Sequence, residues 1–496
     1  MKKSQQNTIE SLGSTKNSVR LLISLQQLIK KYALSLLFAS TVILGLPVSK
    51  LKAQTLSETE NNKFRVSGYL RSGFGSSEGG GTQAHFQIPG ALNKFSLGNQ
   101  ADTYGELEFD YTHYLDKEHS KSIDAVWMSS IYEDYGTTHQ MNYNKTEQLY
   151  LRANNLFGNG EILWAGKRFY DRYAIHMLDR QWINPGHGGW GIGIENLLKK
   201  GTTEDLKFGA WTFQDKDVTS YHNNKIGNLY NYTIDTRWVH VPLNKTLKLN
   251  MALNYTYRAE NKELGYEAKH GFGAFSWLDY EKRNITNTTA VLFRQGSNVS
   301  VNHWTGQSVR ENSDNSSIVK NNLSNAYTLE LNNNFLYDDM DKFAFNGIFL
   351  GLIRNYGTAP YQYNPTQEDL NNGANITPSI DLSTIGLSNG KMLYWMALGG
   401  QGKYYVSKQF RLTLELTSEF VKNGQVGATG NLSKISFSPE FSLAKGFYSR
   451  PVLRPLITYA KWTDGLVGHV GTGPGNTGFS NKNSGFTYGL QFEIWW

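Results

Sequence analysis

Three aromatic residues carry the first chemical suggestion. Tyr69, Tyr104 and Trp495 each stand in a segment where every second residue is apolar, yet each belongs to the other, polar set. Around Tyr69 that set is Arg65, Ser67 and Arg71; around Trp495 it is Thr487, Gly489, Gln491 and Glu493; Tyr104 shares its set with Glu106, Glu108 and Asp110. Successive side chains of a strand point to opposite faces, so these rings project with charged neighbours. Ring planes stack on the apolar faces of sugars, while charged groups hydrogen-bond sugar hydroxyls. Arg71, Glu106, Glu108, Arg172 and Asp179 are the charged candidates for the same surface; the plainer alternative is a generic ion lining. A single ring on such a face also serves to pack an inward-folded loop, and only the convergence of several points to a ligand track. Glu106 and Glu108 lie about 7 Å apart along a strand, a separation that a glycosidase pair can use. Carboxylates at i and i+2 are commonplace on solvated faces, however, and no other catalytic feature accompanies them, so no enzyme is expected.

The elements that must position these residues are long alternating strands. Phe486, Tyr488, Leu490, Phe492, Ile494 and Trp496 form one face of the last segment. Leu247, Leu249, Met251, Leu253, Tyr255 and Tyr257 oppose Lys248, Asn250, Ala252, Asn254 and Thr256, and Leu412, Leu414 and Leu416 oppose Thr413, Glu415 and Thr417. Ten-residue alternation with aromatics at the ends of the apolar faces is the pattern of an outer-membrane barrel. A soluble sandwich also alternates, but it does not explain an export segment. Ser76–Thr82, Asn184–Gly193, Glu311–Asn322, Asn364–Asn375 and Thr463–Gly485 read as turns and loops. At roughly 25 residues per strand and loop, the chain after residue 53 allows about 16 to 18 strands, enough for an aqueous channel.

Composition agrees. Aromatic residues reach 13% and glycines number 49. The net charge of +7 is a local effect: residues 1–53 hold eight basic residues and one acid, and the remainder has 41 of each. A nucleic-acid partner is therefore not expected. Lys30 and Lys31 precede an apolar run from Tyr32 to Val48, and Leu51-Lys52-Ala53 follows with a small residue. That order of charge, apolar stretch and small residue is a cleavable secretory signal. The expected organisation is a signal peptide over 1–53, a short lead over 54–63 and one barrel over 64–496. No second long apolar run exists, so a membrane location requires a closed barrel. There are no cysteines, the histidines are scattered, and Gly191-Ile192-Gly193 and Gly166-Lys167 lack the remainder of a dinucleotide or phosphate motif. No metal and no cofactor are expected.

Blocks of the chain resemble the maltoporin family. They are Gly68-Tyr69-Leu70-Arg71-Ser72-Gly73, Leu97-Gly98-Asn99, Thr103-Tyr104-Gly105-Glu106-Leu107, and Trp164-Ala165-Gly166-Lys167-Arg168-Phe169-Tyr170 continuing through His176-Met177 to Gly193-Ile194-Glu195-Asn196. Ser449-Arg450-Pro451, Thr458-Tyr459-Ala460-Lys461-Trp462 and Phe492-Glu493-Ile494-Trp495-Trp496 complete them. The resemblance implies an all-β transmembrane antiparallel barrel of about 18 strands in the bacterial outer membrane, a homotrimer, and facilitated diffusion of maltose and maltodextrins. It implies an aromatic slide at Tyr69, Tyr104, Tyr448 and Trp495, with Tyr448 where the family usually has Trp. It implies a polar track at Arg71, Glu106, Lys145, Arg172, His176 and Asp179, with Lys145 replacing an Arg. The constriction falls at Gln181, where a Tyr is common, followed by Trp182. Ala174 replaces an acidic track residue and Ser96 a basic one. The paired cysteines of well-known members fall at His85 and Ala101. The aromatic lent by a neighbouring subunit falls near Tyr135 or Thr137. These departures leave sucrose or another oligosaccharide open as the solute. A general diffusion porin is the other reading, and predicts current indifferent to sugar.

Overall fold

Alternation becomes two solvents in space. In Leu247–Arg258, Leu253 is 65% exposed on the outer face while Asn250, Ala252, Asn254, Thr256 and Arg258 are buried inside. The same division holds in the last strand, where Tyr488 and Phe492 face outward and Thr487 and Gln491 are buried. The expected faces of Leu414, Leu416 and Glu415 are also found.

The computed structural model describes residues 54–496 except 59–60, 92, 135–141, 184–188, 199–200, 220–224, 301–307, 312–317, 321–322, 324, 356, 358–391, 425–426 and 472–477. The expected signal peptide, the loop expected over Asn364–Asn375, and Tyr135 and Thr137 lie outside these described residues. The barrel is closed, antiparallel and 18-stranded. Its strands are β1 Asn62–Ser77, β2 Asp102–Tyr114, β3 Ser122–Asp134, β4 Asn142–Asn154, β5 Ile162–Lys167, β6 Trp190–Glu195, β7 Asp205–Thr219, β8 Ile226–Pro242 and β9 Leu247–Arg258. The second half is β10 Lys269–Lys282, β11 Ile285–Gly296, β12 Tyr327–Asp338, β13 Phe343–Asn355, β14 Met392–Tyr405, β15 Phe410–Asn423, β16 Ala428–Ser442, β17 Val452–Trp462 and β18 Ser484–Trp495. Each pairs with its neighbour in sequence, and β1 closes on β18 with Tyr69 opposite Trp495. Closure removes the unpaired edge that lipid cannot solvate. Gln54–Glu58, expected as a plain lead, pairs antiparallel with the start of β1. Residues 190–193, expected at the end of the loop Asn184–Gly193, belong to the barrel strand Trp190–Glu195, where Gly191 and Gly193 sit beside Trp211 and Trp164, whose rings occupy the room a side chain there would need.

Two long connections fold into the barrel. Residues 78–101 bring Phe86, Ile88 and Phe95, and residues 168–183 bring Ile175, Met177, Leu178 and Trp182, into one apolar cluster with the inner faces of β13 and β14. Those inner faces are Ile348, Leu350 and Leu352, and Leu393, Trp395 and Ala397, none more than 2% exposed. Gly399 admits the Phe95 ring: a Cβ there falls 2.3 Å from Phe95 Cε1. Asn99, fully buried, pins its own loop by accepting from the Phe86 N–H (2.8 Å) and donating to the carbonyls of Phe86 (3.0 Å) and Phe95 (2.9 Å).

Candidate functional site

The β1–β2 register places Arg71 opposite Tyr104 and Tyr69 opposite Glu106. Inward side chains on adjacent strands therefore form a diagonal row. The rings of Tyr104 and Tyr69 lie 6.1 Å apart, and those of Tyr69 and Trp495 lie 6.4 Å apart at an interplanar angle of 25°. All three are partly exposed inside the barrel. Their polar ends are fixed: Tyr104 donates to Glu106 Oε1 (2.5 Å) and Tyr69 to Glu493 Oε1 (3.1 Å). Arg450 lies over the Trp495 ring (4.5 Å to its centroid) and is itself paired with Glu493 (2.6 Å). Glu493 also holds Arg454 (2.7 Å). A row of rings whose hydroxyls and cations are tied down offers apolar faces with hydrogen-bonding groups alongside.

The fourth expected ring, Tyr448, lies outside this row. It sits in the short connection between β16 and β17, 5.3 Å from the imidazole of His176. His176 belongs to the inward connection 168–183, whose two faces differ. Tyr173, Ile175, Met177, Leu178, Arg180 and Trp182 turn to the wall, whereas Ala174, His176 and Asp179 stay exposed. The wall clamps this connection with charge. Arg180 binds Glu330 of β12 through two bonds (3.1 and 2.6 Å), Arg294 of β11 donates to the Trp182 carbonyl (2.7 Å), and Lys207 of β7 binds Asp171 (2.6 Å). Breaking a buried pair leaves an uncompensated charge, so these contacts hold the exposed face in register.

The expected polar track divides into two kinds of residue. Arg71 is buried and bound to Asp102 at 3.2 and 3.0 Å, with Asp179 3.8 Å away. Asp179 receives the Gln100 amide (3.3 Å) and remains open. Lys145 is open, 3.4 Å from Glu147. Arg172 lies over the Phe169 ring, 3.3 Å from its centroid, and donates to Gln181 Oε1 (3.3 Å). Although the His176 ring is open to the interior, the surrounding protein displaces enough water to lower its pKa; Arg450 adds to this and Glu493 opposes it.

Trp182 corrects an expectation. It is 2% exposed and packs edge-on to Trp277 (5.6 Å) and against Tyr173 (5.1 Å), so its ring fills the wall contact and lines no constriction. It follows Gln181 in the short strand Arg180–Ile183, where Gln181 is half-buried and Trp182 buried, as neighbours on opposite faces of a strand are. Sequence reasoning missed Asp102, Arg450 and Phe169 as parts of this site. Glu493 was visible on the face it shares with Trp495, and Asp102 begins β2 in phase with Tyr104 and Glu106; Arg450 and Phe169 sit in connections without periodicity.

Residues 64–496 match the LamB porin family. Among solved structures, Salmonella typhi OmpF in complex with daunomycin is similar at a TM-score of 0.43 and 10% identity, covering 88% of this chain and 99% of that one. An anion-selective porin from Comamonas acidovorans is similar at 0.41 and 10%, covering 87% and 100%. The family and fold are those of a channel rather than an enzyme. The chain belongs to the LamB porins, the maltoporin family, and is an outer-membrane β-barrel porin.

Proposed function

We propose that this porin is a sugar-selective channel for the facilitated diffusion of maltose and maltodextrins. The observation that carries the reading is the row Tyr104, Tyr69 and Trp495, with ring spacings of 6.1 and 6.4 Å and charged partners on its flank. A sugar chain moving along such a row exchanges one stacked ring for the next, and Glu106, Arg172, His176 and Asp179 exchange hydrogen bonds with its hydroxyls. Tyr448, apart from the row, offers a further ring beside His176. Family membership supports a homotrimer, which chemical cross-linking of the detergent-extracted protein tests.

The decisive experiment is planar-bilayer conductance of the purified protein titrated with maltohexaose, sucrose and raffinose. Block by maltohexaose at lower concentration than by the other two is expected. Current indifferent to every sugar would leave a general diffusion porin. One observation favours a second solute: Gln181 stands where the family usually has Tyr and is tied to Arg172, while Ala174 adds no charge beside it. Stronger block by sucrose than by maltohexaose would establish that alternative.

A further inference from the structure

The cations inside this barrel are held in two ways. Arg71, Arg152, Arg180 and Arg450 each lie within 3.0 Å of a carboxylate oxygen. Arg172 does not: among the described residues no carboxylate lies within ion-pair distance of it, and its partners are the Phe169 ring and the Gln181 side-chain oxygen. With Cζ 3.3 Å from the ring centroid, the contact is at van der Waals separation, which admits only a guanidinium lying flat on the ring. Phe169 is in turn set by the wall. Its backbone N–H donates to Gln148 Oε1 (2.9 Å), and Gln148 Nε2 donates to Glu108 Oε2 (2.8 Å), so β4 and β2 together fix where the ring lies.

We propose that Phe169 is a specificity-determining positioning residue, whose ring presents Arg172 to the permeating sugar in place of a carboxylate. The inference rests on the sugar-channel reading above. A carboxylate fork occupies two guanidinium donors and cancels the charge. An aromatic face holds the cation through the ring quadrupole and occupies none of the in-plane N–H groups. Arginine has five such donors; Gln181 accepts from one, and the others remain available to sugar oxygens. Glu106, Tyr104 and Glu147 act on Arg172 through space, and the first two belong to the aromatic row and its flank. Phe169 touches the sugar only through Arg172.

The test compares maltohexaose block of the full-length porin with that of Phe169→Leu, Phe169→Tyr, Arg172→Ala and the double variant Phe169→Leu/Arg172→Ala. Loss of the ring face should raise the half-blocking concentration about 2- to 10-fold, and Phe169→Tyr should restore block to near the parent value. In the Arg172→Ala background, Phe169→Leu should add nothing. Equal block by Phe169→Leu and parent overturns the proposal, as does an undiminished loss in the Arg172→Ala background. Should Phe169→Leu fail to assemble, Phe169→Met serves the same comparison. A parent current that no sugar blocks defeats the channel reading itself, whereas a blocked parent with unaltered Phe169 variants defeats only the role of Phe169.

Discussion

The interior of this barrel has two unlike walls. The wall of β18, β1 and β2 turns Trp495, Tyr69 and Tyr104 inward and leaves them partly exposed. The wall of β13 and β14 turns Ile348, Leu350, Leu352 and Trp395 inward and buries them under the two inward connections. The first wall meets solute; the second is a hydrophobic core that happens to lie inside a barrel. The difference shows that a porin's inner surface need not be uniformly polar. One wall holds loops still so that the other has something to face.

If that division is right, removing the clamp should matter more than trimming the row. Glu330→Ala strands Arg180 and Arg294 without their carboxylate and should cost about 3–5 kcal/mol, read as a lower unfolding temperature and as new open-channel noise from a loosened 168–183. A variant that melts and conducts like the parent would show the clamp to be idle. Next in size, Gly399→Val drives a side chain into the Phe95 ring. Overpacking of this kind costs about 1–3 kcal/mol, and the thermal midpoint of the barrel should fall accordingly. An unchanged midpoint would mean that residues 78–101 yield at no cost.

On the solute-facing wall, Trp495→Ala should weaken maltohexaose block several-fold and leave open-channel current nearly intact. Equal block in variant and parent would remove Trp495 from the row. The smallest effect concerns pH. His176 is held below the ordinary imidazole value of about 6.5 by the protein around it, so it is neutral at pH 7. It gains its proton, and a positive charge facing Tyr448, only as the medium becomes more acid than that. Sugar block should be level from neutral to mildly alkaline pH and change only on acidification, and His176→Gln should flatten the acid limb. An inflection above pH 7 would contradict the assigned charge state.

The solute-facing wall was legible because its strands obey a strict period of two, in which Tyr69, Tyr104 and Trp495 break the polar set visibly. The core-like wall was not. In β13, Ile348, Leu350 and Leu352 alternate with Phe349, Gly351 and Ile353, so both faces are apolar and periodicity cannot tell which meets lipid. Trp182 was misplaced for a related reason: a strand of four residues inside a long connection is too short for its period to show that Trp182 turns away from Gln181. Arg172 was visible as a charge, but the Phe169 ring beneath it depends on the bend at Asp171, where φ is +39°, that no local pattern records.

Asn99 has a last consequence. The first inward connection is held by amide contacts, and the chain contains no cysteine anywhere. Thiol reductants therefore have no disulfide to open in this passage. The pore should conduct alike with and without them, and its maturation calls on no thiol-exchange partner.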